Sequence, residues 1–158
     1  MRKFKELLEA PQTIVFAFGR FNPPTTGHEK LINKVKSVAG NVPYRIYPSF
    51  TTNPKKDPLP HALKVAYMRK MFPKHKKNII ADKNAKTAIM IAEMLYKEGY
   101  KNLVMVAGSD RVKEFSELLN RYNDAPDKKG NQLFKFDSVQ VVSAGERDPD
   151  AEGVEGMS

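Results

Sequence analysis

The sequence contains no cysteine among its 158 residues. This absence excludes a disulfide framework, a thiolate nucleophile and a cysteine-based metal site, and it is compatible with a reducing compartment. No apolar run approaches the roughly 20 residues of a membrane span. The opening residues, MRKFKELLEA, also lack the apolar core of a signal peptide. We therefore expect a soluble protein of the cytoplasm with no membrane partner.

Two common phosphate-binding patterns are also missing. The sequence has neither G-x-x-x-x-G-K-[ST] nor G-x-G-x-x-G, which excludes a kinase-type P-loop and the ordinary dinucleotide fingerprint. Internal repeats are absent as well. The length suits one domain, and a 41% share of hydrophobic residues allows a packed core.

The charge of the chain is positive and unevenly distributed. The formal net charge is +9, and residues 30–86 carry fourteen Lys and Arg against two acidic residues. Residues 137–158 carry six acidic residues against one Arg. A basic middle favours a polyanionic partner, although a solvated surface is the better explanation for any single lysine. No nucleic-acid-binding signature accompanies the charge, so nucleic acid is not the partner we expect.

Hydrophobic patterning predicts an alternation of strands and helices. The segments TIVFAF and LVMVA are apolar at nearly every position, which is typical of strands in a parallel sheet covered on both faces. Strands are predicted at 13–18, 44–48, 78–81, 103–107 and 138–142, and helices at 1–9, 29–38, 61–72, 85–98 and 111–119. A polar loop is predicted at 123–131. The fold class is therefore α/β, a Rossmann-like, doubly wound parallel sheet of five strands with helices on both faces.

Ligands of such sheets bind beyond the carboxyl ends of the strands, where the strand order reverses. The stretch GRFNPPTTGH follows the first strand and opens a helix. Gly27 allows close approach of a phosphate, and backbone N–H groups at a helix start favour an anion. His28 and Thr25 can donate to phosphate oxygens, and Arg20 adds a fixed positive charge. We expect this loop to bind phosphate.

The same stretch resembles the first signature of the HIGH-type nucleotidylyltransferases, G-x-F-x-P-x-[HT]-x-G-H. The matching positions are Gly19, Phe21, Pro23, Thr25, Gly27 and His28. Among these enzymes the loop is most similar to nicotinamide mononucleotide and phosphopantetheine adenylyltransferases. The resemblance implies catalytic roles for His28, Thr25 and Arg20. It also implies nucleotide binding by Gly19, Phe21 and Gly27.

The reaction that the resemblance implies is attack by a substrate phosphate on the α-phosphorus of a nucleoside triphosphate, with release of pyrophosphate. A phosphate nucleophile is already anionic at neutral pH, so the protein has to position two polyanions and stabilise charge on the transferring group. The expected cofactor is Mg²⁺ held by the triphosphate, with no metal ligand from protein side chains.

A second loop, AGSD at 107–110, follows the fourth predicted strand. The family places a G-x-D at this position against the nucleoside ribose, which implies nucleotide binding by Gly108 and Asp110. The alternative is that Ser109 or Asp110 caps the next helix.

Basic residues follow the second strand, where the family binds its acceptor. The candidates for a phosphorylated acceptor are Lys55, Lys56, His61, Lys64 and Arg69. Each is also explained as part of a solvated loop or helix face. Lys64 stands where an Arg is common, and an ammonium cannot make the two-pronged contact of a guanidinium. The run KHKK at 74–77 is predicted to lie on the surface.

The second family signature, [ST]-x-x-[KR], opens the helix after the last strand and binds the terminal phosphates. Met157 and Ser158 look like the opening of that signature, which implies nucleotide binding by Ser158. We expect residues 1–158 to be a single nucleotidylyltransferase domain that is truncated within this motif.

The sequence leaves the substrates open. The first hypothesis is transfer of AMP from ATP to a small phosphorylated acceptor. A cytidylyltransferase that uses CTP shares the first signature, so that alternative stands beside it. A third hypothesis is a nucleotide-binding module without catalysis. The sequence also leaves open whether the protein is a homo-oligomer.

Overall fold

A computed structural model describes residues 12–21, 27–50, 60–126, 130 and 132–145. Within this part of the chain there are four strands, four α-helices and one longer 3₁₀-helix. The strands are β1 (Thr13–Gly19), β2 (Tyr44–Pro48), β3 (Asn102–Ala107) and β4 (Ser138–Ser143). The α-helices are α1 (His28–Ala39), α2 (His61–Met71), α3 (Ala88–Lys97) and α4 (Val112–Tyr122), and the 3₁₀-helix is Pro73–Asn78.

The strands form one parallel sheet in the order β2-β1-β3-β4. Strand β1 is therefore central, pairing with β2 on one side and with β3 on the other. The order reverses between β1 and β3, and their carboxyl ends lie at the same edge of the sheet. This confirms the predicted α/β class and places both candidate loops at the position where such folds bind ligands.

Helices cover both faces of the sheet, as predicted. Because successive strand residues point to opposite faces, Ile14 and Phe16 pack into one core cluster, while Val15 and Ala17 pack into the other. The first cluster is covered by residues of α3 and α4, and the second by residues of α1 and α2. Each fully buried large apolar side chain contributes roughly 1.5–3 kcal/mol to folding. Burial on two sides thus explains why β1 is apolar at nearly every position.

The prediction of a fifth strand at 78–81 is wrong. The 3₁₀-helix extends to Asn78, and a turn begins at residue 83, so only a few residues remain extended between them. Ile79 makes a single bridge to Ile46 of β2, and the Ile80 N–H donates to the Ile46 carbonyl at 2.9 Å. This contact covers the outer edge of β2 without forming a ladder, so the sheet has four strands in the part of the chain that the structure describes.

Helix α3 begins later than predicted, and the glycine predicted to follow it is confirmed. Helix α3 begins at Ala88 rather than at 85, because the Thr87 hydroxyl caps it by accepting from the Met90 N–H at 3.1 Å. Gly99 follows the helix with φ of 107°, a conformation that favours glycine.

Parts of the predicted periphery lie outside the described residues. The helix predicted at 1–9 is one of them. In the polar loop predicted at 123–131, Asn123 forms a bridge with Phe134, and Pro126 forms one with Gln132. No helix in the described ranges is long and apolar enough to span a membrane.

Candidate functional site

The end of β1 bends sharply into the first candidate loop. Phe21 has a φ of 47°, in the left-handed region that residues other than glycine rarely adopt, and its side chain is fully buried. Such a conformation costs about 1–3 kcal/mol and persists where the surroundings enforce it. Here the buried ring belongs to the core cluster that also contains Ile32 and Val106. Strain of this kind is often found at functional sites.

His28 is the first residue of α1 and is 8% exposed. Its ring packs edge-on against Phe21, with 4.8 Å between ring centroids and 70° between planes. Gly27 occupies the N-cap with helical φ and ψ and offers no side chain to cap the first turn. The start of α1 therefore presents backbone N–H groups beside a histidine whose ring is fixed by packing, which suits a phosphate.

The carboxyl end of β3 carries the second candidate loop. The Arg111 N–H donates to the Gly108 carbonyl at 2.9 Å and closes a turn. A Cβ added to Gly108 would lie 2.9 Å from Asp110 Oδ1, so the carboxylate folds back over the glycine. Helix α4 has Arg111 at its N-cap, with no side-chain cap. Neither Ser109 nor Asp110 therefore occupies the capping position that the alternative interpretation required.

The predicted acceptor residues separate into two groups. His61 and Lys64, in the first turns of α2, contact the backbone at the end of β2. His61 Nε2 lies 3.3 Å from the Pro48 carbonyl oxygen, and Lys64 Nζ donates to the Ser49 carbonyl at 2.8 Å. Burial lowers the pKa of His61, and the nearby charge of Lys64 lowers it further, against the opposing effect of the Pro48 hydrogen bond.

Arg69 lies further along the same helix, about 12 Å from His61 at 1.5 Å per residue. Its Nε and Nη2 donate to the Ile79 carbonyl at 3.2 and 2.8 Å. The guanidinium thus ties α2 to the segment that covers the outer edge of β2. The structure does not bring Arg69 to the carboxyl edge, and its contact with an acceptor stays a prediction.

Four predicted site residues lie outside the described part of the chain: Thr25, Lys55, Lys56 and Ser158. The residues that the topology brings to one edge, around the ends of β1 and β3, are Gly19, Arg20, Phe21, Gly27, His28, Gly108 and Asp110. Within the described ranges, no cluster of His, Asp and Glu could hold a metal ion.

Two residues at this edge were not predicted. Ser49 follows β2 directly and is 2% exposed, and its N–H donates to the Gly19 carbonyl at 2.8 Å. Its position immediately after an apolar strand, like that of Gly108, is the signal that could have found it. Lys30 of α1 reaches Gly145, because a Cβ on Gly145 would lie 3.7 Å from Lys30 Nζ. No sequence pattern indicates that Lys30 lies close to Gly145.

The chain resembles known proteins along most of its length. A family model described as cytidylyltransferase-like matches residues 16–146. The chain is also similar to a probable nicotinate-nucleotide adenylyltransferase of Sulfurimonas denitrificans, with 28% identity over 118 residues, which is 71% of this chain. The chain spans less than two thirds of that relative, 64% of its length. No solved structure matches the chain significantly.

Proposed function

The chain belongs to the cytidylyltransferase-like family, and on that premise we propose that it is a nucleotidyltransferase that joins a nucleoside monophosphate to a small phosphorylated acceptor and releases pyrophosphate. The observation that carries the proposal is the convergence of two loops at the β1–β3 edge of the sheet. One loop leads to His28 in the first turn of α1, and the other carries Asp110 folded over Gly108. These two loops hold the residues expected for phosphate and for ribose.

The proposed step exchanges one P–O bond for another. An oxygen of the acceptor phosphate attacks the α-phosphorus of the triphosphate, and the bond from that phosphorus to the bridging oxygen of pyrophosphate breaks. The attacking oxygen carries no proton at neutral pH, so no general base is needed. The residues of the site therefore act by positioning the two anions in line and by stabilising the charge that spreads over the transferring group.

His28 is the proposed donor to the transferring phosphate. Its ring is fixed by the edge contact with Phe21 and lies at the start of α1. A donor that is already oriented stabilises the transition state without reorganising during the reaction. Arg20, on the same loop, adds positive charge, and Thr25 would add a hydroxyl donor.

Asp110 and Gly108 are the proposed ribose contacts. An exposed carboxylate can accept from two sugar hydroxyls, and the missing side chain at Gly108 leaves the space that the carboxylate fills. Lys55 and Lys56 are the proposed contacts to the acceptor phosphate. Mg²⁺ would enter with the triphosphate as part of the substrate, because this ion is commonly bound through phosphate oxygens.

We propose ATP as the nucleotide and a nicotinate nucleotide as the first acceptor to test, because the relative from Sulfurimonas denitrificans is named for that pair. CTP is the second candidate, because the family description names cytidylyl transfer.

The test is pyrophosphate release with ATP, CTP, GTP and UTP, each combined with nicotinate mononucleotide, nicotinamide mononucleotide and phosphopantetheine. We expect release with one nucleotide and one acceptor class well above all other pairs. Calorimetric titration of each nucleotide runs in parallel. Binding of a nucleotide with no turnover under any pairing would contradict catalysis and favour a binding module, and no binding at all would refute the nucleotide site.

A further inference from the structure

Lys64 is fully buried, which is rare for a lysine. Its Nζ donates to the Ser49 carbonyl at 2.8 Å, at the point where the chain leaves β2. Burying an ammonium is costly unless hydrogen bonds replace the lost water. The buried ammonium of Lys64 is therefore held beside the backbone that follows β2.

His61 acts on the same stretch of backbone. It lies one helical turn before Lys64, so the two side chains share a face of α2. His61 contacts the Pro48 carbonyl at 3.3 Å, and its ring packs edge-on against Phe50 with 4.8 Å between centroids. The first turns of α2 thus hold three consecutive residues at the end of β2. We call His61 and Lys64 the strand-end clamp.

The segment 48–50, which His61 and Lys64 contact, is in turn hydrogen-bonded to the end of β1, where the phosphate loop GRFNPPTTGH begins. While the Ser49 carbonyl accepts from Lys64, the Ser49 N–H donates to the Gly19 carbonyl at 2.8 Å. Gly19 ends β1, and two residues later Phe21 packs against His28. The backbone of one residue, Ser49, thereby connects a buried ammonium on α2 with the end of β1, from which the loop with the proposed phosphate donor begins.

We propose that Lys64 is a positioning residue, which fixes the Ser49 backbone and through it the Gly19 end of the phosphate loop. This role differs from the acceptor ligand that the sequence predicts, and its effect on turnover rests on the proposed function. A buried position beside a backbone carbonyl suits the compact ammonium better than the wider fork of an arginine. Displacing a loop that orients reacting groups lowers turnover rather than substrate affinity.

The first experiment measures backbone hydrogen exchange and needs no turnover. In Lys64→Met the stem of the side chain is kept and the donor is lost. We expect the Ser49 amide to exchange about tenfold faster or more, because opening of this segment loses a hydrogen bond from a charged group. Amides of β3 should exchange as in the unmodified protein. Lys70→Met, an exposed lysine on the same helix, is the matched control and should change neither.

The second experiment separates positioning from ligand binding by steady-state kinetics. For Lys64→Met we expect kcat to fall about tenfold or more while the KM for the phosphorylated acceptor changes less than threefold. A rise in acceptor KM with kcat unchanged would identify Lys64 as an acceptor ligand and overturn the proposal. Unchanged Ser49 exchange in a folded Lys64→Met protein would also overturn it, whether or not the protein proves to be a nucleotidyltransferase.

A third measurement uses the unmodified protein, in case Lys64→Met does not fold. Acetic anhydride labels accessible amines, and the labelled positions are read by mass spectrometry. We expect Lys64 to resist labelling equally with and without a phosphorylated acceptor, while Lys70 is labelled in both. Labelling of Lys64 that the acceptor blocks would show an ammonium open to the acceptor and would overturn the proposal.

Discussion

Two buried histidines lie at different places in this molecule, and only one of them belongs to the candidate site. His28 is 8% exposed and His75 is 2% exposed. Each packs edge-on against an aromatic ring, Phe21 for His28 and Tyr44 for His75. By burial and packing alone the two are nearly the same. Their positions differ, because His28 opens the helix that follows β1, whereas His75 meets the first residue of β2.

His75 joins three elements through both nitrogens of its ring. Nε2 donates to Asn33 Oδ1 at 2.9 Å, and Nδ1 shares a hydrogen bond of 2.9 Å with the Tyr44 hydroxyl. These partners tie the 3₁₀-helix to α1 and β2. A histidine bonded on both nitrogens to other parts of the fold has a structural role. His28 instead lies in the first turn of the helix that follows the central strand, where we propose that a phosphate binds.

The largest expected effect is a loss of activity when His28 is replaced, which replacement of His75 should not cause. We expect His28→Ala to reduce kcat for pyrophosphate release by roughly 10²-fold, the usual consequence of losing one transition-state donor. The fold should be retained, as measured by circular dichroism and by urea unfolding. Pyrophosphate release at the unmodified rate in His28→Ala would remove this residue from the mechanism.

The second prediction concerns His75, whose removal should lower stability and leave activity unchanged. We expect His75→Ala to lower the free energy of unfolding by about 2 kcal/mol, because Tyr44 and Asn33 both lose a hydrogen-bond partner in a partly buried place. The values of kcat and KM should stay within twofold of the unmodified protein. Urea unfolding and steady-state kinetics measure the two effects.

Lys77→Ala is the matched control for His75, because this neighbour is exposed. It should change the free energy of unfolding by less than about 0.5 kcal/mol. A stable His75→Ala protein with impaired turnover would contradict the structural role.

The third prediction compares glycines near opposite ends of β3. In Gly108→Ala the new Cβ would lie 2.9 Å from Asp110 Oδ1, so the flexible carboxylate has to move. We expect nucleotide affinity to fall about tenfold, the loss of one charged hydrogen bond, with little change in stability. Isothermal titration with the nucleotide measures the affinity.

Gly99→Ala serves as the counterpart, before β3. There φ is 107° and nothing lies within 4 Å of the added Cβ, so the cost is backbone strain alone. We expect a loss of about 1 kcal/mol in the free energy of unfolding and unchanged nucleotide affinity. Equal affinity losses in both variants would mean that the Gly108 effect is not local to Asp110.

The sequence predicted the loops at the β1–β3 edge, where local motifs exist. It did not predict the burial of His75, for which there is no motif. GRFNPPTTGH and AGSD predicted the loops at the β1–β3 edge, because such loops are short, local and placed directly after apolar strands. KHKK was predicted to lie on the surface. Its lysines are exposed, but His75 is buried through contacts with residues 31 and 42 positions away. Such partners are set by helix and strand packing, which no local pattern records.

The same limit applies at two other places in the chain. Residues 78–81 have a strand-like composition, yet the 3₁₀-helix before them leaves too few extended residues for a ladder. Lys64 was predicted as an acceptor contact from the family resemblance and from its place after β2, and that role stays a prediction. The charge pattern could not show that its side chain points to the Ser49 carbonyl and is buried there.

The smallest expected effect is a pH dependence that distinguishes His75 from the site. Burial lowers the pKa of His75 below its usual value of 6.5, and the positive charges of Lys36 and Lys74 lower it further, against Glu29, which raises it. The unfolded chain therefore binds a proton near pH 6.5 that the folded protein does not yet bind. The stabilisation is present above pH 6.5 and is lost as the pH falls through the lowered pKa of the folded state.

The measurement is urea unfolding between pH 7.5 and 5 for the unmodified protein and for His75→Gln. The difference between the two curves isolates His75, because His61, whose pKa is also lowered, titrates in both. One proton limits the contribution of His75 to about 1.4 kcal/mol per pH unit. We expect the unmodified protein to lose stability more steeply on acidification than His75→Gln. Parallel curves would mean that His75 takes up its proton equally in both states, and a lowered pKa of His75 in the folded protein would then be wrong.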